Sequence, residues 1–462
     1  MGADVKAVHI VSLGCARNDV DSEELAARLE AGGFTLAAEP ADADVVVVNT
    51  CGFIADAKKD SIDTLLAACD LRGDGRVRAV VAVGCLAERY GAELAKELPE
   101  ATVLGFDDYP DIAGRLDAVL RGERIEPHMP VDRRTILPAA PAERPGAGVS
   151  AGRSVVGAAV LRRRLGDGPS APLKIASGCD RRCAFCAIPS FRGAYLSRPV
   201  DEIVAEARWL VSQGVKEVVL VSENSSSYGK DLGSGHGLET VLRALSGVDG
   251  LEWIRVSYLQ PAELRPAMID AMTGTPHVVP YFDLPFQHAS ARILRRMRRF
   301  GDPDSFLGLL GSIRDRCPQA GVRTNVIVGF PGETQAEVEE LAAFLSAARL
   351  DAIGVFGYSD EEGTEAATLD GHVSEDEIDE RVSWIAGLAD DLMADRAAER
   401  VGERVRLLVE EQTPDGALAR AEHQAPDVDG TTLVAGASAP IGAMLGGRVT
   451  ASEGVDLIAE EE

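Results

Sequence analysis

The sequence predicts an α/β fold in three parts: an N-terminal parallel-sheet βαβ domain, a central partial (β/α)6 barrel, and a small C-terminal antiparallel β-barrel. Strand and helix patterns alternate over roughly the first 135 residues, as they do where helices cover a parallel sheet. A second βα series starts at Pro172 and holds six strand candidates, whereas a closed barrel of this kind needs eight. The last ~60 residues contain short strands between Gly and Asp turns, which indicates a small β-barrel.

The same patterns predict where the domains begin and end. We expect an N-terminal domain over residues 1–138, a linker over 139–171, the second βα domain over 172–397 and the terminal barrel over 398–462. The linker is rich in Ala, Pro and Gly and has no apolar period. Its basic run, Arg162 to Arg164, is interpreted as a solvated face, and residues 375–400 are predicted to form a charged helix.

The composition is typical of a soluble globular protein, with 26% charged and 46% hydrophobic residues. The sequence has neither the apolar run of a membrane-spanning helix nor the pattern of a signal peptide, so we expect a cytoplasmic protein without a membrane partner. The net charge of −27 disfavours general nucleic-acid binding, which needs Lys and Arg to replace counterions. It favours a basic protein partner, and acidity that serves only solubility is the alternative.

Cysteines supply the sharpest chemical signal. Of the eight in the chain, Cys179, Cys183 and Cys186 form the pattern C-x3-C-x2-C at the end of a predicted strand. Three thiolates at this spacing can hold three irons of a 4Fe–4S cluster, which leaves the fourth iron open to a small molecule. Catalytic groups of βα barrels lie at such strand ends. The alternatives are structural cysteines and a zinc site, although a zinc site would need a fourth ligand nearby.

A second set of cysteines is spread through the N-terminal domain. Cys15, Cys51 and Cys85 each follow an apolar strand pattern, and two of them follow a glycine. Because parallel strand ends converge at one edge of a sheet, these three are candidates for one shared cluster. Unrelated buried cysteines are the alternative. Cys69 and Cys317 fit neither set and are interpreted as ordinary core thiols.

The motif SGCDRRCAFCAIPSFRG, with the aromatic Phe185 one place before its last cysteine, resembles the radical S-adenosylmethionine (SAM) superfamily. The resemblance implies that SAM binds the open iron and that one-electron reduction cleaves it to a 5′-deoxyadenosyl radical. That radical removes hydrogen from an unactivated carbon. The protein's part would be to bind, orient and shield these species.

Together with the N-terminal cysteines and a terminal module like the TRAM domain, the chain resembles the methylthiotransferase family over nearly its whole length. The resemblance implies two 4Fe–4S clusters and two molecules of SAM per turnover. The N-terminal cluster would hold or donate sulfur, and a second SAM would supply the methyl group. A reductant protein and a sulfur source would be needed as partners.

Weaker matches suggest residues that contact SAM. Glu223 and Asn224 lie where the family has a strand end, although the local residues depart from its usual pattern. Gly329 and Glu333 belong to GFPGET, a family segment that we expect beside the SAM adenosine. A tight βα turn with Glu333 near a helix N-terminus is the alternative.

Two further features stay open at this point. His288 follows Gln287 after a predicted strand, and a hydrogen-bonded structural role is favoured over catalysis. The run Ile293–Phe300 places Arg295, Arg296, Arg298 and Arg299 on a predicted helix, where they would meet substrate or stay solvated.

The family has two branches with different substrates. The RimO-like branch modifies the β-carbon of an aspartate in small-subunit ribosomal protein S-twelve, free or in the ribosome. The MiaB-like branch modifies an adenosine of transfer RNA. The segments SLGCARNDVDSE, NTCGFI and CAIPSFRG resemble the first branch more closely.

Charge in the terminal module points the same way. Residues 400–462 contain five Lys/Arg and twelve Asp/Glu, a net charge of −7, where a module that clamps RNA should be basic. The acidic module suits a basic ribosomal protein. An iron–sulfur electron carrier without SAM chemistry is the alternative from another class, but such carriers usually cap every iron with cysteine.

Overall fold

The computed structural model describes residues 6–52, 54–72, 76–135, 155–156, 159–233, 235 and 237–462. The chain forms two compact units. The first unit comprises Met1–Asp167, Lys174–Arg181 and Ala187–Glu206, and the second comprises Gly168–Leu173, Arg182–Cys186 and Ala207–Glu462. Of the predicted linker, residues 139–154 and 157–158 lie outside the described residues, and the predicted domain boundaries stay predictions.

The first unit is built on a parallel sheet, as predicted. Its strands are β1 (Lys6–Ser12), β2 (Phe34–Leu36), β3 (Val45–Thr50), β4 (Ala79–Val83) and β5 (Ala101–Val103), in the order β2-β1-β3-β4-β5. Its helices are α1 (Ala16–Ala31), α2 (Ala55–Asp70), α3 (Gly84–Glu97) and α4 (Ile112–Leu120). Helix α1 begins at Ala16, directly after Cys15.

Strand β3 shows why this sheet lies between two layers of helices. Its residues are all buried, and the four valines alternate between two apolar cores. Val45 and Val47 pack with residues of α1 and α4, and Val46 and Val48 pack with residues of α2 and α3. A continuous β-branched run of this kind is typical of a parallel strand that is covered on both faces.

Short elements follow between residues 155 and 212. They are β6 (Val155–Val156), β7 (Ala159–Val160), β8 (Ser170–Lys174), β9 (Ala176–Ser177), α5 (Ile188–Arg192), β10 (Leu196–Ser197) and α6 (Val200–Ser212). The pairs β6–β7 and β9–β10 are antiparallel. Arg162, in this region, is buried between Glu23 at 2.5 Å and Glu206 at 2.7 Å, so its interpretation as part of a solvated face is wrong.

The second unit contains the partial barrel. Beside β8 its strands are β11 (Glu217–Val221), β12 (Trp253–Val256), β13 (Tyr281–Asp283), β14 (Gly321–Val328) and β15 (Ala352–Gly357). Its helices are α7 (Leu238–Ser246), α8 (Pro266–Gly274), α9 (Ala291–Arg296), α10 (Pro303–Arg316), α11 (Gln335–Ala348) and α12 (Glu375–Glu399). The strands form the runs β8-β11-β12 and β13-β14-β15, and a parallel bridge from Ile254 to Val278 links them.

The C-terminal residues form a closed five-stranded barrel. Its strands are β16 (Arg404–Thr413), β17 (Gly416–Ala421), β18 (Thr432–Ala435), β19 (Met444–Glu453) and β20 (Asp456–Glu461), in the closed order β16-β17-β18-β20-β19. Four neighbouring pairs are antiparallel as predicted, but β18 and β20 run parallel. The reason is that β19 and β20 form a hairpin whose second strand returns beside β18 in the same direction.

Buried ion pairs join this terminal barrel to the βα strands within the second unit. Glu217, at the start of β11, contacts both Arg255 of β12 and Arg420 of β17. All three side chains are at most 1% exposed. Arg323 of β14 reaches Asp429 at 3.1 Å. We call Glu217, Arg255, Arg420, Arg323 and Asp429 the ionic join.

The charged helix expected near residues 375–400 is α12, and Ser374 caps it by accepting a hydrogen bond from the Glu377 N–H. Among the residues that the structure describes, no helix has the length and apolar character needed to cross a bilayer.

Candidate cofactor sites

The three N-terminal cysteines lie at one edge of the parallel sheet, as their sequence positions predict. Cys15 caps α1 directly after β1, Cys51 follows β3, and Cys85 lies in the first turn of α3 after β4. Strands β1, β3 and β4 are neighbours and parallel, so their carboxyl ends meet. The exposure of the three differs: Cys15 is exposed, Cys51 is half-buried and Cys85 is buried.

Two glycines allow the cysteines to approach one another. Gly14 has φ +95°, and a Cβ there would stand 2.8 Å from the Cys51 Sγ atom. Gly84 has φ +90°, and a Cβ there would collide with the Asn49 side chain at 2.3 Å. Both positions therefore need glycine for its backbone conformation and for space.

Neutral side chains hold the strand ends in place. Asn49 donates to the Asn18 carbonyl at 2.9 Å and to the Ser22 hydroxyl at 2.8 Å. Asn18 donates to the carbonyls of Leu13 and Thr50. The Ser61 hydroxyl accepts from the Cys51 N–H and donates to the Cys51 carbonyl, both at 2.9 Å. We call Asn18, Ser22, Asn49 and Ser61 the neutral network.

The thiol of Cys85 is the most buried of the three. Burial raises its pKa, and the nearby Arg192 guanidinium opposes that rise. Arg192 Nη2 stands 3.2 Å from the Cys85 Sγ atom. Arg192 belongs to the segment CAIPSFRG, but it was not predicted as a functional residue, because no local pattern connects it with a cysteine more than a hundred residues away.

The donor chemistry of these three thiols fits an iron–sulfur cluster. No group of three or more His, Cys, Asp or Glu side chains within the described residues is placed to hold one metal ion. A 4Fe–4S cluster makes a different demand, because each thiolate binds its own iron at a separate corner and the sulfurs stand further apart. Three convergent soft ligands with no carboxylate among them fit iron–sulfur chemistry.

Of the C-x3-C-x2-C motif, Cys179 belongs to the first unit, and Cys183 and Cys186 belong to the second. In the first unit, the Cys179 Sγ atom accepts the Arg181 N–H at 3.4 Å. In the second unit, the Cys186 N–H donates to the Cys183 carbonyl in a tight turn, and Arg299 Nη1 stands 3.9 Å from the Cys183 Sγ atom. Phe185, in the same turn, is half-buried. Sulfurs that face hydrogen-bond donors suit thiolate ligands.

The proposed SAM contacts lie at the carboxyl ends of the strands of the second unit, where a βα fold places its ligands. Glu223 and Asn224 follow β11, and Asn224 is 1% exposed. The Asn224 amide donates to Ser227 at 2.8 Å and to Glu263 at 3.2 Å. Its Oδ1 atom is buried and has no partner among the described residues.

Gly329 and Glu333 form a tight turn after β14. The Glu333 carboxylate accepts the Gly329 N–H and an Arg381 N–H, each at 2.8 Å, and stands 3.2 Å from His288 Nε2. His288 is fully buried, and its Nδ1 atom accepts the Ser290 N–H. These contacts fit a structural role for His288. They hold the Glu333 carboxylate against Gly329 of its own turn, against Arg381 of α12 and beside His288.

The arginines of the run Ile293–Phe300 lie in different environments. Helix α9 ends at Arg296, so the predicted helix is wrong for Arg298 and Arg299, and Arg298 has φ +57°. Arg296 bonds the Pro331 carbonyl and Asp370, and Arg298 pairs with Glu365 at the surface. Arg299 is buried and donates to the Pro285 carbonyl at 2.6 Å.

Two strand residues with polar side chains escaped sequence reasoning. Asp283 of β13 is buried, which raises its pKa, and its Oδ1 atom has no partner in the described part of the chain. The Oδ1 atom of Asn325 in β14 is also buried and has no hydrogen-bond partner among the described residues. The signal that could have found both residues was a polar side chain inside an apolar strand pattern.

Cys69 and Cys317 are only partly buried, and burial raises the pKa of both thiols.

Three family models match the chain in sequence order. They are "Uncharacterized protein family UPF0004" over residues 7–105, "Radical SAM superfamily" over 173–345 and "TRAM domain" over 401–461. The chain is also 63% identical to the ribosomal protein uS12 methylthiotransferase RimO of Cutibacterium acnes, over 98% of this chain and 97% of that protein. The chain belongs to the RimO family of radical SAM methylthiotransferases. The resemblance predicted from its motifs is thereby confirmed.

Other members of the family are similar over the same length. The RimO proteins of Nocardioides sp. and Kineococcus radiotolerans are 59% and 57% identical, each over 98% of this chain and 97% of the relative. Among solved structures, the radical SAM methyltransferase TsrM of Kitasatospora setae matches with a TM-score of 0.52 and 15% identity. That match covers 78% of this chain and 77% of TsrM and shows a shared fold.

Proposed function

We propose that this chain inserts a methylthio group at the β-carbon of an aspartate in small-subunit ribosomal protein S-twelve. The observation that carries the proposal is the identity of 57–63%, over 98% of the chain, with proteins named ribosomal protein uS12 methylthiotransferase. The order of the three matched family models agrees with such an enzyme.

The proposal assigns one 4Fe–4S cluster to Cys179, Cys183 and Cys186. Their spacing and their position inside the radical SAM match support the assignment. SAM bound at this cluster supplies, on one-electron reduction, the radical that takes hydrogen from carbon. Phe185, Glu223, Asn224, Gly329 and Glu333 border SAM in this proposal. The unpartnered Asn224 Oδ1 atom offers an acceptor there, and the Gly329–Glu333 turn offers a close backbone surface.

A second 4Fe–4S cluster is assigned to Cys15, Cys51 and Cys85. Their convergence at the ends of β1, β3 and β4 supports it. The neutral network holds these strand ends without adding a charge that would compete with the thiolates for iron. With two clusters, the enzyme uses two molecules of SAM per turnover, together with a reductant protein and a sulfur source. We place this chemistry in the cytoplasm.

The terminal barrel supports a protein substrate over RNA. Each arginine from 400 to 462, a fully described stretch without lysine, contacts a carboxylate: Arg400 with Asp351, Arg404 and Arg448 with Glu462, Arg406 with Glu422, and Arg420 with Glu217. Cations that are already paired are poorly placed to replace the counterions of a phosphate backbone. The unpaired acidic surface suits a Lys/Arg-rich ribosomal protein.

Iron content and two cysteine variants test the cluster assignments. Anaerobically reconstituted protein should contain about eight irons per chain, four for each cluster. Cys183→Ala should abolish formation of 5′-deoxyadenosine. Cys51→Ala should retain it and lose methylthiolation. Cys69→Ala and Cys317→Ala are the matched controls, since neither thiol belongs to a trio, and both should keep full iron. Normal methylthiolation by Cys51→Ala would refute the second cluster.

Mass spectrometry tests the substrate. Ribosomal protein S-twelve from cells that lack this chain should weigh about 46 Da less than protein from complemented cells, the difference between CH3S and H. Transfer RNA from the same cells should be unchanged. The opposite result would assign the chain a tRNA substrate. If no 5′-deoxyadenosine forms in any assay with SAM and dithionite, the chain would instead be an electron carrier.

A further inference from the structure

We propose that Arg192 tunes the N-terminal cluster by donating a charged hydrogen bond to the sulfur of Cys85. The inference rests on the proposed function, because it requires a cluster held by Cys15, Cys51 and Cys85. It assigns Arg192 as a positioning residue that acts through a cysteine ligand, and every residue involved lies in the first unit.

The contact itself is short and buried. Arg192 is the last residue of α5, and its side chain is 1% exposed. Its Nη2 atom stands 3.2 Å from the Cys85 Sγ atom and 3.3 Å from Asn18 Oδ1. Hydrogen bonds from a charged donor are stronger than neutral ones, and a thiolate accepts them far better than a thiol does.

The guanidinium is fixed from its other side. Its Nη1 atom donates to Asp21 Oδ2 at 3.0 Å, and Asp21 is held in turn by Lys174 at 2.6 Å. The face of the guanidinium lies 4.8 Å from the centre of the Phe106 ring. A planar fork of donors satisfies a carboxylate with one arm and a sulfur with the other in a fixed geometry, which the compact ammonium of a lysine does not reproduce.

A donor at the ligand sulfur has a predictable electrostatic effect. When the cluster gains one electron it gains one unit of negative charge, and a nearby cation and hydrogen bond stabilise that form more than the oxidised one. Hydrogen bonds to the sulfurs and the surrounding charge are among the features that set the potentials of such clusters. Arg192 should therefore raise the reduction potential of the N-terminal cluster.

The test measures that potential in the full chain. A Cys183→Ala background removes the other cluster, so the remaining iron reports the N-terminal one. In this background, reductive titration with dithionite, followed by electron paramagnetic resonance, gives the midpoint potential with and without Arg192→Met. We expect a roughly tenfold fall in the reduced-to-oxidised ratio at a fixed potential, equivalent to about 59 mV for one electron.

A control variant tests for effects of losing an arginine elsewhere in the same unit. Arg78→Met removes an arginine of the same unit whose Nη2 atom bonds the Leu120 carbonyl at 2.9 Å, and it should leave the midpoint unchanged. If Arg192→Met keeps its iron and shows the parental midpoint, the inference is wrong. If Arg192→Met does not retain a cluster, Arg192→Lys decides: a lower midpoint supports the inference, and the parental midpoint overturns it.

The failure of the underlying proposal gives a different result. If the Cys183→Ala parent binds no cluster, the assignment to Cys15, Cys51 and Cys85 fails and the inference fails with it. A cluster present in the parent but indifferent to Arg192 leaves the proposed function intact and removes only the role of Arg192.

Discussion

The neutral network of the first unit and the ionic join of the second solve the same problem with different chemistry. Both bury polar side chains that tie neighbouring strands or modules together. In the neutral network, amides and hydroxyls bond backbone carbonyls and one another at 2.8–3.1 Å. In the ionic join, Glu217 lies between Arg255 and Arg420, all nearly or wholly inaccessible to water.

The difference reflects what each place must do. Thiolates gathered at the end of a sheet already bring negative charge. The neutral network positions the strand ends without adding to that charge, and the cation that faces Cys85 is Arg192. The ionic join has no such constraint and uses fully compensated charges. Removing one partner from a buried pair leaves the other uncompensated, which costs far more than the pair contributes when intact.

The largest expected effect comes from breaking the ionic join. Arg420→Met should lower the free energy of unfolding by ~3–5 kcal/mol, because the buried Glu217 and the half-buried Glu410 lose a buried cation. Urea unfolding would measure the loss, and hydrogen exchange should show it concentrated in β16–β20. A uniform loss of hydrogen-exchange protection across the second unit would contradict a local stabilising role for Arg420.

Acid should weaken the ionic join through Glu217. Burial alone would raise the pKa of this carboxyl, but Arg420 and Arg255 lower it from 4.5 to about 2. The ionised form therefore contributes stability that is complete above pH 4.5 and is lost as the pH falls toward 2. The contribution is ~3 kcal/mol from the size of that shift.

Hydrogen exchange of β16–β20 at a series of acidic pH values, in cluster-free protein, would measure this loss. Glu217→Gln should be less stable at neutral pH and should lack that part of the acid dependence. If the wild type and Glu217→Gln weaken in parallel below pH 4.5, another carboxyl controls the join.

A smaller effect, independent of pH, is expected from the neutral network. Asn49→Ala removes the donor to Ser22 and to the Asn18 carbonyl, and should cost ~1–3 kcal/mol, as for a buried group left unsatisfied. Denaturant midpoints at pH 5 and pH 7 should fall by the same amount. Reconstituted protein should also retain less iron. A loss that changes with pH would mean that the Asn49 contacts are coupled to an ionisable group at this edge, and would contradict the prediction.

The smallest effect belongs to an exposed ion pair. Arg404 is 74% exposed and stands 2.9 Å from Glu462 in the same terminal barrel as Arg420. Arg404→Met should change the free energy of unfolding by less than ~1 kcal/mol, because solvent screens the pair. Thermal or urea unfolding of Arg404→Met and Arg420→Met, measured side by side, would compare an exposed ion pair with a buried one. Equal losses of stability in the two variants would contradict the role of burial.

The strands and the cysteine motifs could be predicted from the sequence because short stretches of neighbouring residues specify them. The four valines of β3 specify a strand covered on both faces, and they occupy two cores. The spacing of Cys179, Cys183 and Cys186 needs no other part of the chain to be recognised. The positions of Cys15, Cys51 and Cys85 were also predictable, since parallel strands that follow one another in the sequence bring their ends to one edge.

The misjudged features involve long-range partners. Arg162 was interpreted as solvated because a run of arginines in an Ala/Pro/Gly-rich segment usually is, yet Glu23 and Glu206 enclose it. The parallel pairing of β18 with β20 depends on a hairpin returning past another strand. Arg298 lies two residues beyond the end of α9, in a left-handed conformation, and pairs with the distant Glu365.

By itself, the sequence determined the fold class, the two sets of cysteines and membership of the family, because periodicity, motif spacing and identity are properties of the chain. Only the tertiary structure decided which charges are paired. Arg192 at Cys85, Arg420 at Glu217 and the carboxylate partners of the terminal arginines all depend on residues far apart in sequence. The energy of a charge is set by its burial and its neighbours, and these exist only once the chain has folded.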